Sequence, residues 1–198
     1  MTSLHRPVFS PSALCELELQ PHPASHCPDV QSIGVQLFKV ESATGVSLLL
    51  RYRVMGRISQ LKLPPPASHP GQADELWRHT CCEFFVAKPG AKSYREFNFS
   101  PSGQWAIYGF ADERLRDAEA ITESPPALSF RNTEDEFTLE AELPWPAWSL
   151  DRCNGHLHAG LTAVIEARDG SLSYWALHHP SEKPDFHRRA GWTLKLNT

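Results

Sequence analysis

Residues 94–105 read YREFNFSPSGQW, and their alternation raises the question of a site. Side chains along a strand point alternately to opposite faces, so Phe97 and Phe99 share one side while Tyr94, Glu96, Asn98 and Ser100 share the other. The first face is apolar and suits a core. The second carries a carboxyl, an amide and hydroxyls, which bond a polar ligand as readily as water. It is either a wetted outer surface or the floor of a binding site.

A second group lies at residues 178–187, HHPSEKPDFH, which holds His178, His179, Glu182, Lys183, Asp185 and His187. The density of ligand types raises the question of a metal, but the spacing is not that of a metal site. Adjacent histidines on a strand point to opposite faces and do not easily share an ion. We read the segment as a polar loop with histidines capped by Asp185, and expect no metal. His156 and His158, in HLH, could bring two imidazoles to one face, which reads as a solvated strand face. Cys81 and Cys82 follow His79 closely, but activating a thiolate needs a base held beside it, a geometry that neighbours along a strand rarely achieve. They read as buried structural thiols.

The aromatic residues carry a stronger signal. Trp77, Trp105, Tyr108, Tyr174 and Trp175 lie near predicted strand ends or beside polar runs, and sugar rings and other flat ligands bind against such faces. Core packing must claim most tryptophans, so the expectation is that at least one of the set lines a site. The phosphate-cradling GxxxxGK, the dinucleotide GxGxxG and the hydrolase GxSxG are all missing, so no catalytic residue is assigned.

The elements that must position these groups read as strands. VSLLLRYRV sets Val46, Leu48, Leu50, Tyr52 and Val54 on one face, and EFTLEAELP sets Phe137, Leu139, Ala141 and Leu143 against Thr138, Glu140 and Glu142. LCELELQ, IGVQLFKV, CEFFVAK, YREFNFS, WAIYGF, ALSFRN, LTAVIEA, SLSYWAL and GWTLKL add to the series. Ten or more short strands separated by turns predict an all-β sandwich or barrel. The one helical pattern, ADERLRDAEA at 111–120, is short and polar, and reads as a turn or two decorating a connection. The seventeen prolines cluster between strands, and residues 63–75 form the longest loop, a connection or a binding rim.

At 198 residues the chain fits one domain, 1–198, which would bury roughly 70% of its unfolded surface. With 41% hydrophobic and 21% charged residues it has the composition of a folded protein. A net charge of -4 offers no basic field for nucleic acid or an anionic membrane. No stretch approaches the ~20 apolar residues that cross a bilayer, and MTSLHRPVFSPSAL lacks the apolar core of a signal peptide. Five cysteines without a CxxC pair suit reduced thiols. Together these predict a cytoplasmic protein.

Three stretches together, LWRHTCCEFFV (76–86), YREFNFSPSGQWAIYGF (94–110) and SYWALHHPSEKPDFH (173–187), resemble the bacterial DOMON-like domain proteins, relatives of the family-9 carbohydrate-binding modules. The resemblance covers roughly residues 30–196. It implies a single immunoglobulin-like β-sandwich with a ligand site on one sheet. It also implies that Glu83 and Asn98 contribute polar groups to the ligand face, with Trp77 and Trp105 as the nearest stacking candidates. Haem-binding relatives use a methionine and a histidine as axial ligands, and the only internal methionine here is Met55. CXXCH is absent, and a core methionine is its ordinary explanation.

The reading is a non-enzymatic domain that binds a small polar ligand, a saccharide or glycan fragment. Its candidate ligand-binding residues are Trp77, Arg78, His79, Glu83, Asn98, Trp105, Trp175, His178, Asp185 and His187. No cofactor is assigned. One alternative is a haem-binding electron-transfer or sensor domain. Another is a hydrolase or isomerase pairing Glu83 or Asp185 with His79, His178 or His187 as acid and base.

Overall fold

The structure, a computed structural model, describes residues 12–42, 45–117, 124–144 and 156–197. Every run read as a strand forms one, and the result is an all-β sandwich with twelve strands among the described residues. One layer contains β1 (Ser12–Pro21), β2 (Val30–Ser42), β3 (Gly45–Gly56), β8 (Ala127–Asn132) and β9 (Glu136–Pro144). The other contains β4 (Cys81–Ala87), β5 (Tyr94–Phe99), β6 (Trp105–Asp112), β7 (Leu115–Arg116), β10 (His156–Glu166), β11 (Leu172–Ala176) and β12 (Leu194–Asn197). The strand path runs β7-β6-β5-β4-β10-β11-β1-β2-β3-β9-β8, with β12 beside β10. β1 joins the layers: Ser12 to Leu19 pair with β2, and Gln20 and Pro21 pair with β11.

Alternation explains the core. Leu48, Leu50, Tyr52 and Val54 of β3 and Phe137, Leu139, Ala141 and Leu143 of β9 face Phe84, Phe97, Phe99, Ile107, Leu161 and Trp175 of the other layer in one apolar cluster. Tyr52 crosses that cluster, and its hydroxyl donates to the backbone carbonyl of Glu83 at 2.6 Å. A buried hydroxyl without a partner would cost about 1–3 kcal/mol, so this bond ties the two layers at a fixed point.

β4 departs from alternation, because all seven of its residues are buried. A strand covered on both faces reads as a continuous apolar run, which makes Glu83 its anomaly. The cover over its outer face is a second apolar cluster of Phe85, Ala87, Tyr94, Ala106, Tyr108, Phe110 and Trp192, with Leu76 and Phe186 packed against it. Close approach is built in at Gly160, where a Cβ would meet Trp192 Cδ1 at 2.4 Å. Trp192 stacks on Phe85 at 5.4 Å, and its indole N–H donates to the Phe186 carbonyl at 2.8 Å.

The long loop is tied down as a connection, and none of its residues lines the cavity described below. Trp105 N–H donates to Gly71 O at 3.1 Å and Ala73 N–H to Trp105 O at 2.9 Å, so the loop runs along the start of β6. It ends at Glu75, whose φ of 60 is left-handed, and the 3-10 turn Leu76–Arg78 that follows carries Trp77. The SPSG turn closes the β5–β6 hairpin as its residues suggest, with Gly103 at φ 83 and its N–H on Ser100 O at 3.0 Å. The stretch read as a helical turn differs: Ala111 and Asp112 end β6, Arg114 turns left-handed at φ 58, and Leu115–Arg116 return as β7. Residues 118–120 lie outside the described residues.

Candidate functional site

Of the polar face of residues 94–100, Glu96 reaches the floor of a cavity. Strand pairing sets Glu83 opposite Asn98 and Thr162, and Phe85 opposite Glu96, so the outward side chains of β4, β5 and β10 form one patch. Above it lies a cavity of about 470 Å³. Glu83, Phe85, Glu96, Phe110 and Val164 line it from the sheet, and Arg114, Arg116 and Tyr174 line its sides. Trp77 comes from the 3-10 turn, and Pro184, Asp185, Phe186 and His187 from the loop after β11.

The floor is acidic and buried. Glu83 is 2% exposed and Glu96 5%. Thr162 Oγ1 donates to Glu83 Oε2 at 3.1 Å, and Asn98 Nδ2 donates to Glu96 Oε1 at 2.8 Å. Asn98 Oδ1 in turn accepts the Cys81 thiol at 3.8 Å. Burial pushes Glu83 well above the usual carboxyl range, the neighbouring Glu96 adds to this, and the Thr162 bond opposes it. Burial also pushes Glu96 up to about 7, against the bond from Asn98 and the charges of Arg116 and Arg114. Two neighbouring buried carboxyls resist ionising together, because burial disfavours the charged form and each charge disfavours the other.

The roof is tied to the floor through His187. Tyr94 Oη lies 2.7 Å from His187 Nδ1 and accepts the Arg114 N–H at 3.1 Å. Burial, then Arg114, pulls His187 down to about 4 despite Asp185, so its imidazole is neutral at pH 7. Burial lifts Tyr94 to about 12, so its hydroxyl keeps its proton. We therefore assign the hydroxyl as donor to Nδ1, which leaves Nε2–H toward Glu96 Oε2 at 3.8 Å. The arginines are engaged at the mouth. Arg114 Nη2 bonds Asp185 Oδ1 at 2.7 Å, and the Arg116 guanidinium sits 3.9 Å from the Tyr108 ring centroid.

The structure brings four of the expected residues together around the cavity: Trp77, Glu83, Asp185 and His187. Asn98 lies beneath it, fully buried, and orients Glu96. The other five lie elsewhere. Trp105 packs against the main core, because in β6 it is Ala106, Tyr108 and Phe110 that point outward. Trp175 is also in the main core, and its indole N–H donates to Ser173 Oγ at 3.1 Å. Arg78 is exposed, paired with Glu75 at 2.9 Å. His79 Nδ1 lies 2.7 Å from Glu166 Oε2, whose other oxygen takes Lys62 at 2.6 Å, so it belongs to a clasp beside the cavity. His178 lines a separate shallow hollow with His22, His179 and Glu182.

Met55, the methionine considered for haem, faces outward on β3 in a groove of the opposite layer with Glu16, Glu18, Gln36 and Arg53. No histidine lines that groove among the described residues, so the set there does not fit axial ligation. Cys81 and Cys82 are fully buried, and burial pushes both thiols up, which suits structural packing. His156 and His158 stack at 5.2 Å on one face of β10.

Glu96 was visible as a member of the polar face, but its place in the site depends on pairing with Phe85, which no local pattern reports. Arg114 and Phe186 are delivered by a turn and a loop and Arg116 by the two-residue β7, whose paths are set by the tertiary fold, while Tyr174 of β11 belongs to the aromatic set read from the sequence.

No known family matches the sequence, and no curated protein does. The fold is similar to that of a Bacteroides uniformis protein proposed to bind carbohydrate, with TM-score 0.58 and 20% identity over 91% of this chain and 87% of that one. A family-9 carbohydrate-binding module from Caldicellulosiruptor kristjanssonii in complex with cellotriose aligns at TM-score 0.49 and 10% identity, over 81% of this chain and 72% of its own. The same organism's module in complex with glucose aligns at 0.48 and 10%, over 81% and 74%. At these identities the likeness is one of fold.

Proposed function

We propose that this chain is a non-enzymatic saccharide-binding domain of the DOMON-like kind, and that its ligand sits in the cavity over β4, β5 and β10. One observation carries the reading: a cavity of about 470 Å³ with aromatic walls and a polar, hydrogen-bonding floor. That volume is in the range of small-molecule sites, and apolar walls with a few convergent polar groups are how such sites combine affinity with orientation. Trp77, 41% exposed at the rim, offers a ring face to a pyranose, while Glu83 and Glu96 offer carboxyls to hydroxyls below. The fold shared with a protein proposed to bind carbohydrate supports the same reading. Titration calorimetry with glucose and cellobiose tests it. Heat of binding that weakens in Trp77→Ala is expected, and no binding of either sugar overturns it.

A second reading, acid-base chemistry on the bound sugar, is favoured by the Glu83 and Glu96 pair, whose different surroundings hold their protons unequally. Bond cleavage or anomer interconversion of a bound sugar, followed by NMR, would establish it, and an unchanged sugar spectrum would remove it.

A further inference from the structure

We propose that the cavity selects a saccharide carrying a protonated amine, an amino sugar, with its ammonium seated over the Glu83 and Glu96 carboxyls and against the aromatic walls. This rests on the saccharide reading and names the class of sugar.

The first ground is an imbalance of charge in the floor. Glu83 and Glu96 are 2% and 5% exposed, so both carboxyls are largely withdrawn from bulk water. Among the described residues the only hydrogen bond to the Glu83 carboxyl comes from Thr162, on Oε2. Glu96 receives Asn98 on Oε1 and faces His187 Nε2 only at 3.8 Å on Oε2. Both floor donors are neutral, and a buried carboxyl left this way stabilises whatever brings it a positive charge and several N–H groups. An ammonium has three donors and one charge, which suits two carboxyls that each receive one neutral hydrogen bond.

The protein's own cations meet that need only in part, with Arg116 and Arg114 acting on Glu96 from the mouth. Arg114 bonds Asp185 at 2.7 Å, Arg116 lies over Tyr108 at 3.9 Å, and both side chains are exposed at the mouth. His187 is neutral because burial, then Arg114, pulls it down to about 4. The charged and titratable groups facing the floor are thus Glu83, Glu96, Asp185, Arg114, Arg116, His187 and Tyr174. The two arginines oppose a cation from the mouth and the three carboxyls favour it, two of them from below.

The second ground is the wall. Phe85, Phe110, Tyr174 and Phe186 surround the carboxyls. Ring faces attract a cation, more strongly where water is excluded, and they do not discriminate among neutral hydroxyls in this way.

The test is calorimetry on the full chain with three probes: glucosamine, glucose and tetramethylammonium. At about pH 7, glucosamine is expected to bind about tenfold or more tightly than glucose. Its binding should release protons, read as heat that varies with the buffer's ionisation enthalpy, because the ammonium favours the ionised pair. In Glu96→Gln both the ratio and the proton release should fall, the ratio toward one. Equal affinity for glucosamine and glucose overturns the amine proposal and leaves the saccharide reading standing. Tetramethylammonium binding with neither sugar bound keeps the cation site and removes the saccharide reading. No binding of any probe removes both. A ratio that persists in Glu96→Gln also overturns the proposal.

Discussion

Tyr94 Oη and His187 Nδ1 are 2.7 Å apart, and this contact joins the floor of the cavity to its roof. Tyr94 opens β5, the strand that also carries Glu96, while His187 belongs to the loop after β11. The same hydroxyl accepts the Arg114 N–H, so it gathers β5, the β6–β7 turn and the roof loop at one atom.

Removing that atom should loosen the roof before it unfolds the sandwich. Tyr94→Phe leaves His187 Nδ1 and the Arg114 N–H without their partner, at a cost of about 1–3 kcal/mol. Hydrogen exchange in the variant is expected to be faster across residues 184–189 and unchanged in β3 and β9. Equal protection of the roof in both proteins would show that the contact does not hold it.

Stability should depend on pH through two opposed groups. His187 is pulled down to about 4, below the ordinary ~6.5. The unfolded chain therefore binds more protons in that window, and stability falls as pH drops through it. Glu96 is pushed up to about 7 from the ordinary 4.5. The folded state binds more protons there, so its share is full below the ordinary value and is lost as pH rises through 7. The two slopes oppose one another below ~6.5, and above it the acid pair acts alone. Glu96→Gln fixes a neutral side chain. Its Tm relative to the natural protein should rise by a few degrees between about pH 5 and about pH 8. A Tm difference flat with pH would show that Glu96 is not held protonated by its surroundings.

Period two made most strands legible, because β3 and β9 bury one face and wet the other. β7 was missed for a physical reason. Two residues carry no period, and ADERLRDAEA has the charge of a surface helix while its reversal depends on Arg114 turning left-handed. Site residues divide in the same way. Glu83 stood out as a charge in an apolar run, and His187 as part of a dense polar loop. Trp105 and Trp175 did not reveal their side, because WAIYGF is apolar or aromatic on both faces and in SYWAL the polar Ser173 shares the face of Trp175. In each case strand pairing settled what composition left open, with Phe99 opposite Trp105 and Ala163 opposite Trp175, both partners in the main core.

The tryptophans should separate cleanly under mutation. Trp77, 41% exposed, lines the rim, so Trp77→Ala is expected to keep its Tm and weaken saccharide binding by about two- to tenfold, the worth of one stacking contact. Trp175, 3% exposed in the main core, should cost about 3–5 kcal/mol of stability when truncated to alanine. Denaturant unfolding and calorimetry on both variants read the contrast. A stable Trp175→Ala that loses binding would move the site to the other face of the layer.

Gly160 offers the most local test of how the fold positions the site. It lies on β10 opposite Phe85, and an added Cβ would stand 2.4 Å from Cδ1 and 2.9 Å from Cγ of Trp192, ring atoms held between the strand and the roof. Trp192 has little freedom to yield. Its ring stacks on Phe85 at 5.4 Å and meets Tyr94 edge-on at 5.1 Å, and its N–H holds the Phe186 carbonyl at 2.8 Å. A single methyl must therefore lift Trp192, and with it the Phe186 and His187 segment that closes the cavity. Overpacking of this kind costs about 1–3 kcal/mol. Gly160→Ala is expected to lower Tm by several degrees, shift tryptophan fluorescence to the red as Trp192 meets water, and weaken ligand binding although the residue touches no part of the cavity. A fluorescence shift with binding intact would show that the roof can move independently of the floor, and that the wall formed by Phe186 is not needed to hold the ligand.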